Sequence, residues 1–195
     1  MAGELKEKVG VLALQGGFAA HVSALRALGA VVREVRTPDD LACVTRLVLP
    51  GGESSTQLKL LHSTGLYMAI KDFAAAGYPL FGTCAGAILM ARDVRDPEQD
   101  SLNILDIEVS RNAWGRQVNS FEADSDGTLG DRGRSHLVFI RAPRICRIGS
   151  SVEVLLHYHD EAVLVRKGVH WASTFHPELT SDPVALKVWL QKTKS

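Results

Sequence analysis

Hydrophobic and polar positions alternate between two regimes along this chain. Short continuous apolar runs of strand length come first: "VGVLAL" (9–14), "VVREV" (31–35), "RLVLP" (46–50) and "YPLFG" (78–82). Between them lie segments with apolar residues at helical spacing. "FAAHVSALRALGA" places Val22, Leu25 and Leu28 on one face and stops at Gly29. "ESSTQLKLLHSTG" and "GLYMAIKDFAAAG" each close on a glycine, a common helix terminator. "AGAILMARDV" (85–94) reads as a further helix. Unbroken apolar strands separated by helices predict a parallel sheet covered on both faces.

From about residue 102 the pattern changes. "ILDIEVSR", "HLVFIRA", "VEVLLHYH", "AVLVRKG" and "VHWASTF" are strand-like, with turns between them. They are expected to extend the sheet with antiparallel strands. "DPVALKVWLQKTK" (182–194) closes the chain as a helix, and "ADSDGTLGDRGRS" (123–135) reads as a mobile surface loop. The expected class is α/β: a three-layer sandwich with a mainly parallel central sheet. No repeat or linker divides the pattern, so residues 1–195 are expected to form one domain.

Composition narrows the function classes. Lys+Arg and Asp+Glu balance at 22 each, which argues against a nucleic-acid or anionic-membrane partner. No apolar run approaches the length of a membrane span, and "MAGELKEKVGVLAL" lacks the pattern of a signal peptide, so a cytoplasmic protein is expected. Three widely spaced cysteines (Cys43, Cys84, Cys146) make neither a disulfide framework nor a zinc pattern. Cys43 and Cys146 are read as packed core cysteines. His157 and His159 in "HYHD" share a face if extended, but no third ligand accompanies them, and no metal is expected. Trp114, Trp171 and Trp189 are assigned to packing.

Cys84 is different, because "LFGTCAG" (80–86) frames it with glycines where a strand passes into a helix. That is the form of a nucleophile elbow, with cysteine in place of serine. The helix dipole favours thiolate there, and the Ala85 N–H is free to bond a developing oxyanion. "STFHPELT" (173–180) supplies a base and an acid: in extended chain His176 and Glu178 project to the same face, with Pro177 keeping the backbone extended. "LVLPGGESST" (47–56) ends a strand in Gly51–Gly52 and opens a helix at Glu53, Ser54 and Ser55. Read alone it is a glycine turn and cap; beside Cys84 it is a loop whose N–H groups face a ligand.

Together these motifs resemble the class I (triad) glutamine amidotransferases, a flavodoxin-like fold. Within that class the chain is similar to the glutaminase subunits of pyridoxal 5′-phosphate synthases. The resemblance runs through "LALQG" (12–16), "LPGGESST" (49–56), "GTCAG" (82–86), "RNAWGRQ" (111–117), "FIRAP" (139–143) and "FHPELT" (175–180). It implies hydrolysis of L-glutamine to glutamate and ammonia, delivered to a separate synthase subunit in a hetero-oligomer, with no cofactor held by this chain. Cys84 would be the nucleophile, His176 the base and Glu178 its orienting acid, with Gly51, Gly52 and Ala85 forming the oxyanion hole. By the same resemblance Gly52, Glu53, Ser54, Arg111, Ile140 and Arg141 line the glutamine site. Glu53 suits the ammonium, and Arg111 or Arg141 the carboxylate. From the residues alone, Arg141 is a solvated strand-end charge. Gln15, at the same sheet edge, is expected either to hold a flipped Gly51–Gly52 peptide, to meet the partner, or to be a simple turn residue. The rival readings are a free-standing cysteine amidase acting on γ-glutamyl amides and a non-catalytic regulatory subunit; an intact Cys84–His176–Glu178 set argues against the latter.

Overall fold

Seven strands among the described residues form the central sheet. The computed structural model describes residues 8–111, 120–129 and 133–193. The strands are β1 (Lys8–Leu12), β2 (Val31–Val35), β3 (Arg46–Leu49), β4 (Leu80–Thr83), β10 (Glu153–Tyr158), β11 (Glu161–Lys167) and β12 (His170–Ser173). β2, β1, β3, β4 and β12 run parallel, and β11 and β10 add an antiparallel edge.

The sheet is buried on both faces, which explains its continuous apolar strands. Successive residues point to opposite sides. Val9, Val11, Val48, Phe81 and Trp171 pack with α1 (Phe18–Ala27) and α6 (Val184–Lys192). Leu12, Leu47, Leu49 and Leu80 pack on the other side against α3 (Ser54–Ser63), α4 (Leu66–Ala75) and α5 (Ala85–Met90). α2 (Pro38–Leu41) is one turn closed by a Thr37–Asp40 capping box. As expected, α1, α3 and α4 are followed by glycines at positive φ: Gly29, Gly65 and Gly77. Trp171 and Trp189 are buried around Phe81; Trp114 lies outside the described residues. No helix among them is long and apolar enough to cross a membrane.

The helix read over 85–94 ends at Met90, and β5 (Ala91–Arg95) begins at once. β5 forms a separate small sheet with β6 (Leu105–Ser110) and β9 (Arg144–Ile148). Only β10 and β11 extend the main sheet antiparallel, whereas β12 is a parallel neighbour of β4. Most of the expected loop at 123–135 is a hairpin of β7 (Ser120–Thr128) and β8 (Arg134–Ile140), with residues 130–132 outside the described set. Cross-strand pairs such as Phe121 with Phe139 hold that hairpin against turn-rich composition. Cys43 and Cys146 are exposed rather than packed, because one lies in the turn after α2 and the other on the outer side of β9. His159 does not share a strand face with His157: β10 ends at Tyr158, and His159 and Asp160 turn the chain at φ 48° and 61°.

Candidate active site

Parallel pairing brings four strand ends to one edge. β12, β4, β3 and β1 are consecutive neighbours, and each points its C-terminus the same way. The segments leaving them are Thr174–Glu178, Cys84–Gly86, Pro50–Glu53 and Ala13–Gly17. β1 is also where the strand order reverses, with β2 on one side and β3 on the other, the usual crevice of open α/β sheets.

Cys84 occupies the turn at φ 50° and ψ −105°, a conformation that costs a non-glycine residue about 1–3 kcal/mol. The surroundings enforce it. The Cys84 N–H donates to the Ser173 carbonyl at 2.8 Å, and its carbonyl accepts from Ile88 N–H at 3.2 Å. A Cβ on Gly86 would collide with the Leu49 carbonyl, and one on Gly82 would lie 2.6 Å from Gly86, so both glycines are needed for the helix to cross so close to β3 and β4. Ala85 is the first residue of α5, where a backbone N–H has no partner within the helix. The Cys84 Sγ lies 3.8 Å from the Ile140 carbonyl.

His176 follows β12. Its N–H donates to the Val138 carbonyl at 2.8 Å, and its Nδ1 lies 2.8 Å from Glu178 Oε1. Both residues are buried. The i, i+2 juxtaposition holds, but not through extended chain: Pro177 opens a 3₁₀ turn, Pro177–Leu179, and the turn folds the carboxylate back onto the imidazole. Burial alone would lower the His176 pKa; the neighbouring Cys84 thiol and the Glu178 carboxylate outweigh it and push it up to about 10. Burial would likewise raise Glu178, but the hydrogen bond from His176 holds it below the usual carboxylate range. Gly51 lies against the His176 ring so closely that any Cβ there would collide with it.

The Gly51 carbonyl accepts from Gly17 N–H at 2.9 Å, and Gly52 has φ 157°. The Gln15 side chain does not hold that peptide. Its Oε1 accepts from Glu53 N–H at 3.0 Å, one peptide further on, and its carbonyl accepts from Gln57 Nε2 at 2.9 Å. Glu53 caps α3, accepting from Ser55 and Thr56 through backbone and hydroxyl. Those bonds, the Thr56 hydroxyl's foremost, bring its pKa down to about 2. Arg111 donates to Glu53 Oε1 at 3.0 Å, so two residues expected to read opposite ends of an amino acid are paired with each other. The Ser54 hydroxyl is buried and donates to Gln99 Oε1 at 3.0 Å. Arg141 is exposed at φ 45°, just past Ile140. Residues 112–117 of "RNAWGRQ" lie outside the described residues.

His21 was not singled out from the sequence, although it shares the buried face of α1 with Val22 and Leu25. It is fully buried, 2.9 Å from Thr83 Oγ1 and 3.3 Å from Glu178 Oε2. Burial pushes its pKa down to about 4 against the pull of Glu178, so it is neutral at pH 7.

The model of the SNO glutamine amidotransferase family matches residues 11–194. The chain belongs to that family. It is 50% identical over 187 residues to the pyridoxal 5'-phosphate synthase subunit PdxT of Deinococcus radiodurans, covering 93% of this chain and 95% of that protein. The PdxT of Thermus thermophilus is 50% identical over 185 residues, covering 94% and 96%. A solved structure described as a glutamine amidotransferase superposes with a TM-score of 0.89 at 46% identity, covering 95% of this chain and 98% of that one. PurLQS from Thermotoga maritima shares the fold, with a TM-score of 0.72 at 17% identity and coverage of 97% and 98%. The expected class I glutamine amidotransferase fold is therefore observed.

Proposed function

We propose that this chain is the glutaminase subunit of a pyridoxal 5′-phosphate synthase, acting in the cytoplasm as one catalytic domain. It hydrolyses L-glutamine to L-glutamate and ammonia and passes the ammonia to the synthase subunit with which it forms a hetero-oligomer. The observation that carries this reading is the buried Cys84–His176–Glu178 alignment on adjacent strand ends, in a chain half identical to PdxT proteins.

Cys84 attacks the side-chain amide carbon as thiolate, with its proton on His176. A neighbouring imidazolium is what makes a thiolate available at neutral pH. The tetrahedral oxygen meets the Ala85 N–H and the N–H of the Gly51–Gly52 peptide. That peptide is planar and trans, so fixing its carbonyl on Gly17 sends the Gly52 N–H the opposite way. Collapse breaks the C–N bond, and His176 gives its proton to the leaving nitrogen, releasing ammonia and leaving a glutamyl thioester. Water then attacks the thioester as His176 takes its proton. The C–S bond breaks, glutamate leaves, and the thiolate–imidazolium pair is restored. Glu178 fixes the Nδ1–H tautomer of His176 and stabilises the imidazolium.

Gly52, Glu53, Ser54, Arg111, Ile140 and Arg141 frame the amino-acid end of glutamine. Glu53 is saturated by its cap and by Arg111, which favours a role as anchor: it fixes the guanidinium, whose remaining donors take the α-carboxylate. Measuring ammonia release from glutamine, with and without the synthase subunit, tests the assignment. Glutamine-dependent release that rises with the partner is expected. Equal rates would favour a free-standing amidase, and no release under either condition would favour a regulatory subunit.

A further inference from the structure

Glu178 has two carboxylate oxygens, both buried, and the triad uses one of them. Oε1 binds His176. Oε2 makes no hydrogen bond among the described residues, and the polar atom beside it is His21 Nε2 at 3.3 Å. The same nitrogen lies 2.9 Å from the hydroxyl of Thr83, the residue before Cys84. His21 Nδ1 is buried and unpartnered.

These contacts fix the tautomer. Were the proton on Nδ1, a buried N–H would be orphaned and the Nε2 lone pair would face a carboxylate. With the proton on Nε2, the N–H meets Thr83 Oγ1 at 2.9 Å with the Glu178 Oε2 charge 3.3 Å from the same nitrogen, and on the imidazole only a lone pair is left unmatched. Orphaned buried N–H groups are the rarer and costlier defect. His21 comes from the second turn of α1, on the opposite side of the site from α5. It therefore joins, at one nitrogen, the acid of the triad and the strand end that carries the nucleophile.

We propose that His21 is a positioning residue for glutamine hydrolysis: its Nε2–H, hydrogen-bonded to Thr83 Oγ1 and facing Glu178 Oε2, restrains the rotation of the Glu178 carboxylate by charge attraction and so sets the distance between His176 and Cys84. The inference rests on the glutaminase reading. His21 has to be neutral for this, since an imidazolium there would compete with His176 for the same carboxylate.

The test is steady-state ammonia release in the presence of the synthase subunit for wild type, His21→Phe, His21→Gln and Glu178→Gln, with thermal unfolding as a check on folding. His21→Phe keeps the ring and removes the donor. It is expected to lower kcat about ten- to a hundredfold, the range seen for outer partners of metal-bound histidines, with KM changed by no more than about twofold. His21→Gln, whose amide N–H reaches the same place, should recover most of the loss. In the Glu178→Gln background His21→Phe should add nothing, because the residue it positions is already altered. Wild-type kcat in His21→Phe, an equal loss in both backgrounds, or no recovery in His21→Gln would each overturn the proposal. Should His21→Phe not fold, His21→Asn, whose amide falls short of Glu178, takes its place against His21→Gln with the same expectations. Absence of ammonia release in wild type itself would instead refute the glutaminase reading.

Discussion

Two glycines beside His176 and Glu178 should respond differently to the same added methyl group. A Cβ on Gly51 would fall 3.1 Å from His176 Nδ1 and closer still to Cε1. A Cβ on Gly17 would meet only Glu178 Oε1 at 3.9 Å and the Gly51 carbonyl at 4.0 Å, which are ordinary contacts. Neither position has a positive φ, so alanine brings no backbone penalty at either. In Gly51→Ala the ring must retreat, yet it is held by Glu178 at 2.8 Å and by its own N–H on Val138. A displacement of about 1 Å at a reacting group costs roughly a hundredfold in rate, or about 2.7 kcal/mol of transition-state stabilisation. Overpacking typically costs about 1–3 kcal/mol of stability, so a loss of several degrees in Tm is expected alongside. Kinetics of ammonia release and thermal unfolding of Gly51→Ala and Gly17→Ala decide the matter. Gly51→Ala should lose about a hundredfold in kcat with a folded chain, and Gly17→Ala should stay within about twofold. Comparable activity in the two variants would refute the packing of Gly51 on His176 as the reason for that glycine.

Arg111→Lys replaces a fork of donors with a point charge and should raise KM for glutamine far more than it lowers kcat; Glu53→Gln, which releases Arg111, should do the same more weakly, and unchanged KM in both would remove the pair from glutamine recognition. Stability should peak near neutral pH. His21 is lowered to about 4 in the folded chain, so between pH 6.5 and 4 the unfolded chain binds a proton that the folded chain refuses; about 3 kcal/mol is lost across that window, and His21→Gln should flatten it in urea titrations. His176 works in the other direction: raised to about 10, it contributes stability that is complete below pH 6.5 and lost as pH rises towards 10, a limb that His176→Asn should remove. Gln15→Ala removes the acceptor for Glu53 N–H and should reduce partner-stimulated hydrolysis more than the basal rate; an equal reduction would separate Gln15 from the response to the synthase.

The parts of the site written in local sequence were legible. The glycine frame around Cys84 announced a strand–turn–helix crossing, because only glycine fits where Gly86 meets the Leu49 carbonyl. The two-residue interval between His176 and Glu178 announced their contact, although a 3₁₀ turn makes it. What depends on distant parts of the chain was not legible. β12 could not be placed beside β4 from its own residues, and that pairing is what brings His176 to Cys84. His21 looked like one more position on an amphipathic helix, because its partners are 62 residues or more away. The end of α5 was missed because "ILMARDV" carries no stop signal; Ala91 leaves the helix to pair with Leu105. The hairpin of β7 and β8 was hidden by its Asp and Gly content, and is held by aromatic pairs that local composition does not report.

Cys84 is proposed to carry the glutamyl group of glutamine during hydrolysis. Mass spectrometry of the acid-quenched chain, mixed with its synthase subunit and glutamine during turnover, measures this directly. A glutamyl adduct on the peptide containing Cys84 is expected, accumulating with ammonia release in wild type and absent, together with ammonia release, in Cys84→Ala. Ammonia release by Cys84→Ala near the wild-type rate would contradict it.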